Sequence, residues 1–171
     1  MSFPVLNQMR MFLLAAWLGA AIYFSVVVAP SVFGTLRSFS LINANEIAGT
    51  IVTRTLSIVN TSGFILSLLL LMTTLALKKN YGRTSLILQI ALLMIVAVAT
   101  GLGEWVIAAR MRGLRAAMHG QIDQVALSDP NRIAFAALHS YSVAALGIAM
   151  IAGLLACFVI AKPLQIGLRG R

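Results

Sequence analysis

Four runs without a charged side chain divide this sequence: residues 11–36, 55–77, 84–103 and 133–161, of 26, 23, 20 and 29 residues. A bilayer core about 30 Å thick is crossed by about 20 apolar residues in a helix rising about 1.5 Å per residue. Each run is therefore long enough to cross. Only helices and closed barrels satisfy every backbone polar group in lipid, and these runs are far longer than barrel strands. The expected fold is all-α: a polytopic, four-transmembrane-helix bundle in one domain over residues 1–171, with spans near 9–34, 55–77, 84–109 and 133–161. The first run could be mistaken for a secretory signal. Its apolar stretch from Met11 to Val28 is longer than a signal core and leads into Ala29-Pro30 without a small-x-small cleavage site, so a retained helix is expected.

Composition closes most other classes. Hydrophobic residues make up 60% of the chain and charged residues 10%, against about half and a quarter in soluble domains. A soluble enzyme could not hide that much apolar surface. The 13 Lys and Arg against 4 Asp and Glu would suit nucleic acid in a soluble protein, but here they fall in short clusters between apolar runs, where they meet lipid head groups. Nucleic-acid binding is therefore not expected. The single Cys157 cannot form an internal disulfide, and no Cys/His metal spacing occurs. Ser-x-x-Lys, Gly-x-Ser-x-Gly and His-Glu-x-x-His are likewise absent, which points to a non-enzymatic protein. The methionines lack a repeated Met-x-x-Met spacing and suit apolar filler better than soft-metal transport.

Two connections, 37–55 and 110–132, mix charge with apolar residues and are expected to lie along the membrane surface as interfacial segments. In the second, Met111, Leu114, Met118, Ile122 and Val125 share one helical face. Ser128-Asp129-Pro130 then suits a cap followed by a first-turn proline for the last span. Residues 78–83 form a tight turn. The end carrying both termini and this turn holds Arg10, Lys78, Lys79, Arg83, Lys162, Arg169 and Arg171 with no acid; the other holds six arginines offset by Glu46, Asp123 and Asp129. The greater cation density places both termini in the cytoplasm.

Ionisable groups at membrane depth are expensive and mark candidate sites. Glu104 and His139 sit at matching depth on consecutive spans. With Arg37, Arg54 and Arg115 they form a candidate ligand or ion site. In the third span Gln89, Thr100 and Glu104 share a face, and in the second Ser57, Asn60, Thr61, Phe64 and Ser67 make a partly polar stripe. Interhelical hydrogen bonding is the plainer explanation of both. Ala145, Ala149 and Gly153, followed by Cys157, recur at every fourth position of the last span and suit close helix packing, within the chain or against another subunit. Trp105 suits an interfacial anchor, Trp17 a place inside the bundle. His139 could also offer an axial ligand to a haem or pigment shared within an assembly; no cofactor is otherwise implied.

Trp17-Leu18-Gly19 with Phe24, Ala29-Pro30, Phe33 and Ala48-Gly49, then Leu114-Arg115 ahead of Phe135-Ala136-Ala137-Leu138-His139-Ser140-Tyr141-Ser142, together resemble the transmembrane protein 205-like family. That resemblance implies a four-helix membrane protein, distantly similar to copper-resistance protein D-like membrane proteins. For a bacterial member it implies the inner membrane. Handling of a metal or small solute is one expectation. A structural or accessory subunit, contacting other membrane subunits or a second copy, is the other.

Overall fold

A computed structural model describes residues 3–118 and 120–161. Four helices are long and apolar enough to cross a membrane: helix 1, Phe3–Ser38; helix 2, Ala44–Ala76; helix 3, Arg83–Ala117; and helix 4, Pro130–Ala161. No strand occurs among the described residues. Each helix packs against its chain neighbours, and helix 4 closes back on helix 1, giving an antiparallel ring in the order 1-2-3-4.

The buried positions explain the closure. They include Arg10, Leu14, Trp17, Ala21 and Phe24 in helix 1, and Asn60, Gly63, Ser67, Leu70 and Thr74 in helix 2. Helix 3 buries Gln89, Leu93, Val96, Thr100 and Gly103; helix 4 buries Ser142, Leu146, Ala149, Gly153, Ala156 and Ile160. These sets step alternately by three and four residues, the spacing of a coiled-coil seam, and such seams bury one another in a bundle. Polar members are concentrated on helices 2 and 3. Thr100 and Ser67 satisfy their hydroxyls on their own helices, bonding Val96 O at 2.7 Å and Phe64 O at 2.8 Å.

The helices run well beyond the expected spans, with 36, 33, 35 and 32 residues. At about 1.5 Å per residue each is about 50 Å long, against about 30 Å of hydrocarbon. The expected surface segments are correspondingly corrected. Residues 44–54 are the first turns of helix 2 and residues 109–117 the last turns of helix 3. A charged side chain ends an apolar run without ending a helix. The interruptions fall instead at residues 39–43 and at Met118, where the backbone becomes extended. Met118 does turn inward, 5% exposed, but it lies past the helix end.

The two extensions are clasped together outside the hydrocarbon. Glu46, in the first turn of helix 2, pairs with Arg115 at 2.6 Å and accepts the Ile122 backbone N–H at 3.1 Å. In return, Asp123 accepts the Glu46 backbone N–H at 3.2 Å and the Asn45 amide at 2.5 Å. The orphan amides of the helix 2 N-terminus thus gain a cap from a residue about 80 positions away. Asp129 caps helix 4 as expected, accepting from Asn131 N at 2.8 Å and Arg132 N at 3.1 Å, with Pro130 as the first helical residue.

Candidate functional site

Arg83 and Glu104 are separated by one hydrocarbon thickness along helix 3, so Glu104 lies at the edge of the apolar core farther from the 78–83 turn. At this depth two of the four helices widen into π-helical turns, Phe24–Val28 in helix 1 and Leu102–Ala108 in helix 3. An inserted residue of this kind re-aims side chains and is frequent at functional sites. Here Gly103 and Glu104 both become buried, while Trp105 remains 52% exposed and packs edge-on against Phe64.

Glu104, 7% exposed, accepts the Ser57 hydroxyl on Oε1 at 2.8 Å. Arg112, two turns along the same helix, reaches the same oxygen only at 3.8 Å and is 57% exposed. One turn below Ser57, Asn60 is 3% exposed and faces Gly103, where an added Cβ would lie 3.1 Å from its Nδ2. Glycine therefore leaves room for the carboxamide. Among the described residues neither Glu104 Oε2 nor the Asn60 amide has a hydrogen-bond partner, and neither is among the sealed polar atoms. Ser57, Asn60 and Glu104 thus form a niche of oxygen acceptors and one amide donor pair, with unused bonding capacity.

The other expected members lie elsewhere. His139 is exposed near the start of helix 4 and shares no hydrogen bond with Glu104. Arg115 is held by Glu46. Arg37 donates to Asn45 Oδ1 at 3.0 Å and covers the Phe33 ring, and Arg54 is exposed. Among the described residues no three His, Cys, Asp or Glu side chains converge. His119 lies outside the described residues. Of the packing series, Ala149 and Gly153 are buried and Ala145 half-buried; Gly153 faces Trp17 of helix 1, so this contact is within the chain.

A second polar cluster, at the opposite end, is built on Arg10. Its charge alone groups it with the head-group cations, yet it is 2% exposed. Its guanidinium bonds Thr74 of helix 2 and the Tyr81 hydroxyl of the turn, donates to Gln89 Oε1 of helix 3 at 3.1 Å, and reaches Asn7 Oδ1 at 3.3 Å. Asn7 also donates to the Ile160 carbonyl of helix 4 at 2.9 Å. All four helices are tied through one side-chain network. The available signal was position: Arg10 lies seven residues before Trp17 on the buried seam.

A family model described as a domain of unknown function (DUF4149) matches residues 12–120, well over half of the chain. No curated protein and no solved structure matches.

Proposed function

The chain belongs to the DUF4149 family, and from that premise we propose that it is a non-enzymatic integral membrane protein that binds a small cation or hydrogen-bond-donating solute in the Ser57–Asn60–Glu104 niche. The observation carrying this reading is the spare bonding capacity of Glu104 Oε2 and Asn60 at a depth where unpaired polar groups are costly. A single carboxylate among neutral oxygens suits a monovalent or organic cation, with Arg112 near enough to replace it when the site empties. On this reading both termini face the cytoplasm from a bacterial inner membrane, so the niche opens outward. Lys78, Lys79 and Arg83, all exposed in the turn, support this orientation. The likeness to the transmembrane protein 205-like and copper-resistance protein D-like proteins agrees with solute handling and adds no residue to the site.

The test is thermal unfolding of the detergent-solubilised protein against sodium, magnesium, zinc and ethanolamine chlorides. A ligand that binds the folded state raises the melting temperature with concentration. At least one should do so for the parent and not for Glu104→Gln; no shift, or equal shifts in both, would overturn the reading.

The closed centre favours a second reading, an accessory subunit of a larger membrane assembly. Trp17 fills the middle of the bundle between Gly63 and Gly153, and the clefts beside Ile51 and beside Met94 are shallow grooves lined chiefly by apolar residues. In such an assembly the exposed His139 would be the residue to meet a haem or pigment held between subunits. Native mass spectrometry of the gently solubilised protein, showing associated chains or none, separates the two.

A further inference from the structure

All four acidic residues of the chain, Glu46, Glu104, Asp123 and Asp129, belong to the end of the bundle remote from Arg10. No side-chain carboxylate of this chain is therefore placed to neutralise that buried guanidinium. Arginine does not shed its proton in proteins, so the positive charge persists in a medium that solvates it poorly. The partners it has, Asn7, Thr74, Tyr81 and Gln89, are neutral. They leave Nε as the one sealed side-chain polar atom without a hydrogen bond among the described residues. A carboxylate or phosphate normally makes a two-pronged contact with a guanidinium, through Nε and Nη2 or through the two Nη atoms.

We propose that Arg10 anchors a phosphate-binding site at this end of the bundle, taking the phosphate group of a phospholipid head group. Three features besides the unmatched charge support it. Lys78, Lys79 and Arg83 are exposed around the adjoining turn, giving an acid-free approach that attracts anions. The turn lies at the edge of the hydrocarbon, where lipid phosphates are concentrated. Tyr81, half-buried in that turn, places a phenol oxygen on Nη1 while donating to Asn7 at 3.0 Å. The phenol is a neutral stand-in on Nη1 that an arriving phosphate oxygen would displace. The proposal is independent of the Glu104 niche, which lies about one hydrocarbon thickness away.

The experiment is melting and native mass spectrometry of the full chain in detergent, with added phosphatidylglycerol, with diacylglycerol of the same acyl chains, and with sodium phosphate against sodium chloride. Phosphatidylglycerol should remain bound and raise the melting temperature by several degrees, and diacylglycerol should not. Arg10→Gln should lose that increment. If Arg10→Gln does not fold, Tyr81→Phe serves in its place: with the phenol oxygen gone from Nη1, the lipid-induced shift should be retained or enlarged. A shift given equally by free phosphate and not by chloride would support the phosphate site while assigning the ligand to the aqueous ion. No phosphate-dependent shift in the parent, an undiminished shift in Arg10→Gln, or loss of the shift in Tyr81→Phe would overturn the proposal.

Discussion

The indole of Trp17 lies against the backbone of Gly63 so closely that a Cβ there would stand 2.6 Å from its Cε2 and Cζ2. The same ring donates Nε1–H to the Val59 carbonyl at 3.0 Å and meets Gly153 on helix 4, where a Cβ would lie 3.3 Å from Cζ3. One side chain thus sets the approach of helix 1 to both neighbours. Within lipid, where apolar burial between helices adds little, such close packing is a main source of association.

Gly63→Ala should therefore be the most damaging of three alanine substitutions, because the planar ring cannot fold away from the added carbon. Overpacking of this kind costs about 1–3 kcal/mol. Gly153→Ala should be milder, and Gly147→Ala, which meets nothing within 4 Å, neutral or slightly stabilising. Melting temperatures in detergent, ranked in that order, check the assignment; equal losses at Gly63 and Gly147 would contradict it.

The clasp outside the hydrocarbon predicts a local effect. Glu46→Gln removes the charge facing Arg115 and weakens the bond to the Ile122 N–H. With both side chains about one-quarter exposed, the expected loss is about 1 kcal/mol. Hydrogen exchange should quicken at residues 120–126 and at the first turn of helix 2, while the apolar middle stays protected. Asp123→Asn should release the same two segments.

Burial pushes the Tyr81 phenol above its ordinary value of 10, and the nearby Arg10 opposes this only in part. A group whose folded value is raised contributes stability that is complete below its unfolded value and lost as pH rises through the folded one. Thermal stability in detergent should therefore fall above about pH 10 more steeply for the parent than for Tyr81→Phe. Identical profiles from pH 9 to 11.5 would rule out this coupling.

The apolar runs made the four crossings legible because lipid leaves the backbone no other solution. Helix ends were not legible: Glu46, Arg54, Arg110 and Arg115 stop the hydropathy signal, whereas the chain keeps its helix by pairing Glu46 with Arg115 and capping through Asp123, contacts between residues far apart in sequence. Trp17 as a bundle residue, the inward face of Gln89, Thr100 and Glu104, and the tight approach at Gly153 could be read from spacing. His139 could not be oriented, because depth along a helix says nothing about which side faces the neighbours. Gly63 was missed although it shares the seam of Asn60, Ser67, Leu70 and Thr74. Charge alone marks Arg10 as a surface cation, whereas its register with Leu14 and Trp17 marks it as buried.

The last prediction separates glue from ligand at Glu104. Both functions require the carboxyl group to stay inside the bundle, and both use the Ser57 hydroxyl at 2.8 Å. If the side chain served only to join helices 2 and 3, Glu104→Gln would keep an acceptor for Ser57 and leave melting temperature and cation response alike unchanged. Glu104→Leu would instead strand the hydroxyl and lose about 1–3 kcal/mol. The niche reading expects a different pattern: Glu104→Gln melts within a degree or two of the parent without ligand but loses its ligand-induced shift. Asn60→Leu should do the same with some added strain, since a branched side chain must fit beside Gly103. Gly103→Ala places a methyl 3.1 Å from Asn60 Nδ2 and should reduce ligand affinity more than it reduces stability. Loss of the shift in all three variants, with Ser62→Ala on the exposed side of the same helix as the unaffected control, is the outcome expected of a site. A shift that survives Glu104→Gln and Asn60→Leu would return both residues to a purely structural role and leave the accessory-subunit reading in possession of the fold.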